Sequence, residues 1–158
     1  MSRISTHLLR TAAAVAALTL LCQCSGGHKA ATGFDVNLTL TPAAAEKLKA
    51  LSQTVELSGY YFGAPIEAAR DKVNEAGEIE LGEDLINAGA ASGKVHVPGT
   101  GIDPVALQAV NGGQPSVLVS AWLNPSSGLE NVLACTTFKG TVAEAQKAPV
   151  AISCDLKP

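Results

Sequence analysis

Val36, Leu38 and Leu40 alternate with Asn37 and Thr39, a period of two that gives an extended chain one apolar face. Thr41-Pro42 follows as N-cap and first helical residue of a short helix, Ala43 to about Leu51. Its alanines, Glu46, Lys47 and Lys49 favour helix, and Leu48 and Leu51 make an i, i+3 apolar contact. Period two returns over Thr54–Phe62, with Val55, Leu57 and Tyr61 on one face and Glu56, Ser58, Tyr60 and Phe62 on the other. Gly59 interrupts that strand as a candidate bulge. Gly63-Ala64-Pro65 ends it, and a charged segment runs on to Ala76. Gly77 turns the chain into Glu78–Leu81, where Ile79 and Leu81 alternate with Glu78 and Glu80. The glycine- and alanine-rich stretch Leu85–Gly93 reads mainly as loop. Lys94–Val97 points Val95 and Val97 inward and His96 outward.

Asp103-Pro104 again reads as N-cap and first helical residue, here of a short helix through Val110 that Asn111-Gly112-Gly113 stops. Ser116–Leu123 is the clearest strand, with Val117, Val119, Ala121 and Leu123 on one face and Leu118 and Trp122 on the other. After the turn cluster Asn124–Gly128, Val132–Lys139 and Val150–Leu156 complete the pattern. About seven short strands without strand–helix alternation predict a mainly β fold. The class expected is a single antiparallel β-sandwich, immunoglobulin-like or transthyretin-like, with two or three short helices over residues 33–158.

The chain ahead of this pattern is different in kind. Arg3 and Arg10 give a positive start ahead of an apolar, uncharged run, Thr11–Leu21, and Cys22-Gln23-Cys24-Ser25-Gly26-Gly27 follows. That is the layout of a bacterial export signal. As a helix the run spans only ~16 Å against a ~30 Å hydrocarbon core, too short for a membrane span. With Leu21 three residues before Cys24, the segment Cys24-Ser25-Gly26-Gly27 resembles the mature start of a bacterial lipoprotein. The resemblance implies that residues 1–23 are a signal peptide and that Cys24 is diacylated. It makes the protein an outer-membrane lipoprotein, held to the membrane by its N-terminal lipid and facing the periplasm or the exterior. Residues 24–32, small and polar, suit a flexible tether. The alternative is a plain secretory signal cut near Cys24 or Gly27, leaving a soluble periplasmic or secreted protein.

Charge and cysteine content sharpen this picture. Loss of Arg3 and Arg10 from the 11 basic residues leaves nine against 14 acidic ones. Such a surface argues against nucleic acid and against charge-driven adhesion to anionic lipid. Met1 is the only methionine, so the exported chain has no thioether metal site. With Cys22 discarded and Cys24 acylated, Cys135 and Cys154 are the remaining pair, and an oxidising compartment predicts a disulfide between them. Free thiols or a metal site are the alternatives. Opposed across an antiparallel hairpin, the cysteines would place Leu133 against Leu156, Thr137 against Ile152 and Lys139 against Val150. The connection Thr141–Ala148 then holds Thr141 and Glu144 at the spacing of a capping box. The bridge joins neighbouring strands and Trp122 does not lie between the cysteines, which excludes an antibody-type domain.

Candidate chemistry is sparse. His96 is the one histidine beyond the signal and tether, and a lone strand histidine reads as solvated or satisfied in the core rather than as an acid or base. No Gly-x-Ser-x-Gly elbow occurs, and Gly99-x-Gly101 lacks the third glycine and βαβ context of a dinucleotide fingerprint. Glu75, Glu78, Glu80, Glu83 and Asp84, with Asp71 before them, could attract a hard cation, but a solvated edge guarded by like charge is the plainer reading. Neither a metal nor another cofactor is therefore expected, and no catalytic residue is assigned. Tyr60-Tyr61-Phe62 holds half of the six aromatic residues. Tyr60 and Phe62 either pack beneath the Gly63–Ala76 loop or form a partner-binding patch that Trp122 extends. The function expected is a non-enzymatic envelope lipoprotein, a binding or assembly accessory for another envelope protein. A short lipoprotein with a transthyretin-like sandwich is similar in outline to the outer-membrane lipoprotein of type VI secretion, with a local likeness in Leu81-Gly82-Glu83-Asp84-Leu85. An envelope hydrolase would need two carboxylates ~5–9.5 Å apart in a cleft. A small-ligand carrier would need an enclosed apolar cavity between the sheets.

Overall fold

Unbroken apolar alternation becomes strand wherever it occurs: β1 (Phe34–Leu40), β5 (Ser116–Leu123) and β8 (Val150–Leu156) each bury every second residue. The structure, a computed structural model, describes residues 32–158. The expected signal peptide, Cys22, Cys24 and the tether up to residue 31 lie outside the described residues. The other strands are β2 (Val55–Gly63), β3 (Ile79–Gly89), β4 (Gly93–Val97), β6 (Leu133–Cys135) and β7 (Phe138–Thr141), and the α-helices are α1 (Pro42–Leu51) and α2 (Val142–Ala145). The described chain is thus mainly β, with two four-stranded sheets: a first sheet ordered β4-β1-β8-β6 and a second ordered β3-β2-β5-β7.

One apolar cluster joins them. Val36, Leu38 and Ile152 from the first sheet and Val55, Leu57, Tyr61, Val117 and Val119 from the second are all buried in it. Helix α1 starts as expected, with Thr41 accepting from the Ala44 N–H and Pro42 at its first turn. It buries Ala44 and Leu48, and it ends at Ser52 in the left-handed region at φ 51°. The Thr41 hydroxyl also donates to Asp155, holding that carboxyl below the usual range.

Several expectations are revised. The fold is not wholly antiparallel: β1 and β8 run parallel, with Leu38 beside Ile152, while β1–β4 and β6–β8 are antiparallel. Parallel neighbours need a long crossover, and all the chain between β1 and β8 supplies it. Leu85–Gly89 is strand rather than loop. The pairing of β2 with β3 shifts register between Tyr61 and Phe62, near Gly82 at φ 115°. That bulge reverses the alternation, so Asp84 and Ile86 turn inward and Glu83, Leu85 and Asn87 outward. Gly59 is not a bulge; it lies in regular pairing, where an added Cβ would press on Val97 and the Tyr61 hydroxyl. The segment Asp103–Val110 forms a 3₁₀ turn, Ala106–Ala109, rather than an α-helix, with Asp103 accepting from the Val105 N–H.

The C-terminal hairpin is half as expected. Cys135 and Cys154 form the disulfide with Cα atoms 4.0 Å apart, and Leu133 opposes Leu156. Beyond the bridge the Thr136 N–H donates to the Ser153 carbonyl, and the Thr136 hydroxyl accepts the Ser153 N–H. With its side chain replacing its carbonyl in the ladder, the backbone is free to leave the first sheet. It crosses to the second as β7, where Lys139 opposes Leu118. The expected pairs Thr137–Ile152 and Lys139–Val150 therefore do not form. The capping box does form: Thr141 accepts from the Glu144 N–H, and Glu144 accepts from the Thr141 N–H.

Candidate functional site

The outer face of the second sheet collects the predicted aromatic residues in unequal ways. β2 lies between β3 and β5, and its outward side chains are Glu56, Ser58, Tyr60 and Phe62. Tyr60 and Phe62 stack at a centroid distance of 6.0 Å and an interplanar angle of 24°. Lys139 from β7 lays its ammonium 4.6 Å from the Phe62 ring centroid and 3.2 Å from Glu78 Oε1. Phe62 is only 5% exposed, so it serves as the floor beneath Lys139. Tyr60 remains half-buried, its hydroxyl 3.5 Å from Asn74 Nδ2, so the loop after β2 reaches it at one point. Trp122 is also half-buried and directly opposes Glu56.

Tyr60 lies four positions along β2 from Glu56, so Trp122 stands ~13 Å along the sheet from the Tyr60 row. The structure therefore brings Tyr60 to Phe62 and leaves Trp122 apart. Leu118, beside Tyr60, and Leu85, 56% exposed on β3, fill out the face. Leu85 was not legible as part of it, because the sequence pattern puts it in a loop.

The acidic run is dispersed by the same bulge. Glu80 and Glu83 stay on the outer face, and Ser58 donates to Glu83. Asp84 turns inward and is only 7% exposed. Each of its carboxylate oxygens accepts two hydrogen bonds. Oδ2 takes the Tyr61 hydroxyl and the Gly99 N–H, both at 2.8 Å. Oδ1 takes the Thr100 hydroxyl at 3.0 Å and the Gly101 N–H at 2.8 Å. Gly101 packs on the Glu83 carbonyl with no room for a Cβ. Burial, and then the bond to Asp84, push the Tyr61 phenol far above its usual range. Protein donors saturate this carboxylate, and among the described residues no three His, Cys, Asp or Glu side chains converge as metal ligands. Nothing in the spacing of Asp84 and Gly99-x-Gly101 announces this knot.

His96 does meet a carboxylate, though in the open. Its Nδ1 lies 3.0 Å from Asp35 Oδ1, and Lys94 Nζ lies 3.3 Å from Asp35 Oδ2. The bond with His96, and then that with Lys94, hold the Asp35 carboxyl below the usual range. The imidazole is 65% exposed. It borders a surface depression of about 290 Å³ that also includes Gly33, Gln146 and Lys147 and whose lining residues carry no hydroxyl or thiol. A second depression, about 550 Å³, is shallow and runs along α1 past Leu48, Ala90 and Ala91.

No helix among the described residues is long and apolar enough to cross a membrane. Comparison with known proteins finds no matching family model, no matching curated protein and no matching solved structure.

Proposed function

We propose that the chain is a non-enzymatic lipoprotein of the bacterial cell envelope, anchored through an acylated Cys24, whose β domain binds another envelope protein. The observation that carries the binding role is the outer face of the second sheet. There Leu85 is exposed and Tyr60, Leu118 and Trp122 are half-buried, with carboxylates between them. Aromatic anchors in a polar surround are what protein interfaces select. The non-enzymatic reading draws support from His96, which shares Asp35 with Lys94, lies in solvent, and borders a depression whose lining residues carry no hydroxyl or thiol.

The fold we propose is a transthyretin-like sandwich. In an immunoglobulin domain the first two strands share a sheet, whereas β1 and β2 here lie in different sheets. The parallel neighbours β1 and β8 set it further apart from a wholly antiparallel arrangement.

Mass spectrometry of the exported protein tests the anchor. A mature chain beginning at Cys24 with added acyl mass, recovered in the membrane fraction, is the expected result, with Cys24→Ala releasing it to the soluble fraction. Two acyl chains give stable attachment where one is marginal. An unmodified N-terminus in the soluble fraction would overturn this reading.

A further inference from the structure

We infer that the outer face of the second sheet docks a positively charged extended segment with Lys or Arg side chains four residues apart. This rests on the binding-module reading and names its partner's chemistry. Three aromatic rings on the face each have a glutamate beside them. Phe62 and Glu78 share Lys139, whose ammonium is 4.6 Å from the ring centroid and 3.2 Å from the carboxylate. Tyr60 directly opposes Glu83, and Trp122 directly opposes Glu56. The first pair is thus filled from within the chain, an internal example of what the other two can hold.

Those two pairs hold no such cation. Among the described residues, the ion pairs are Glu67–Arg70, Asp35–Lys94, Asp35–His96 and Glu78–Lys139, and none involves Glu56, Glu80 or Glu83. A ring face attracts a cation through its quadrupole, and the adjoining carboxylate adds an ion pair that strengthens as docking excludes water. Glu56 and Tyr60 are ~13 Å apart along β2, the length of four residues of extended peptide laid along the strand. Leu85, in the Ser58 row midway between the two, offers apolar contact for the one residue between the cations that faces the sheet, and Leu118 lies beside Tyr60 at one end. Anionic lipid and nucleic acid are repelled by the same carboxylates.

The test uses the exported protein and a blocked peptide, Arg-Thr-Val-Thr-Arg, whose central valine shares the face of the two arginines, with Glu-Thr-Val-Thr-Glu as its counterpart. Trp122 is the only tryptophan, so its emission reports directly on the face. Expected are a saturable change with the arginine peptide, weakening with added salt, and none with the glutamate peptide. The double variant Glu56→Gln, Glu83→Gln should lose about tenfold in affinity while keeping its near-ultraviolet dichroism. Lys139→Ala, which vacates the Phe62–Glu78 pair, should bind more tightly. Equal response to both peptides, no saturable change, or indifference to the two glutamine substitutions would overturn the inference. If a crosslinker at Leu85 nevertheless captures an envelope protein in cells, the error lies in the partner's chemistry. If it captures nothing either, the binding module itself is wrong.

Discussion

Replacing Asp84 with alanine removes the acceptor of four hydrogen bonds. Two of the donors, the Tyr61 hydroxyl and the Gly99 N–H, are buried, and those from Thr100 and Gly101 are partly buried and regain water more easily. A buried donor left without a partner costs about 1–3 kcal/mol, so the two inner donors set a loss of about 2–6 kcal/mol. Against a total of about 5–15 kcal/mol for a domain, that is a large fraction. Tyr61→Phe deletes one donor and leaves the carboxylate with three, a smaller loss of about 1.5–3 kcal/mol. Asp84→Asn keeps the shape but turns an NH₂ towards donors, and should fall near the alanine variant. Urea unfolding followed by Trp122 fluorescence measures each. In a double-mutant cycle, Tyr61→Phe should cost much less once Asp84 is alanine, because the two share one bond. An Asp84→Ala variant within about 0.5 kcal/mol of the parent would refute the reasoning.

Three further outcomes are expected. Tyr61 is held neutral by burial and by its bond to Asp84, so its folded pKa lies above the ordinary 10.0. That contribution is complete below pH 10 and is lost as the pH rises, at about 1.4 kcal/mol per pH unit. In Tyr60→Phe the lone phenol should ionise together with unfolding, and ionisation of the folded protein near pH 10 would contradict this. Reducing Cys135–Cys154, which closes a separation of 19 residues, should cost ~3 kcal/mol in urea midpoint analysis, and an unchanged midpoint would count against it. Thr141→Ala should cost about 1 kcal/mol through the capping box. The Glu144 carboxylate, lowered first by the Thr141 N–H and then by its hydroxyl, contributes above its unfolded pKa and fades as the pH falls through the folded one. Thr141→Ala should therefore destabilise less in acid than at neutral pH, and an equal loss at both would contradict it.

Local signals carried most of what was readable. β5 and β8 were legible to the residue because neither contains a bulge or an internal glycine. The capping box at Thr141 and Glu144 was legible because it depends on spacing alone, and the opposed cysteines because they are the one pair left beyond the signal and Cys24 and lie on two strands that read as adjacent in sequence. The reading failed where two distant segments decide together. β3 continues past Gly82 because β2 pairs along its whole length, and the bulge there inverts which acid faces the core. β6 and β7 part because Thr136 satisfies Ser153 with its side chain, a choice invisible in an apolar alternation. The parallel pairing of β1 with β8 joins the two ends of the described chain and leaves no local trace. At the candidate site, Tyr60 and Trp122 could be assigned to outward phases, but their separation and the burial of Phe62 under Lys139 required the register of β2, β5 and β7.

The binding role is tested most directly by photo-crosslinking in living cells from two positions. One replaces Leu85, exposed on the outer face of the second sheet, and the other replaces Ala151, exposed on the first. A defined adduct with an envelope protein from position 85 and none from position 151 is the predicted result. No adduct from position 85, or the same adducts from both, would contradict it.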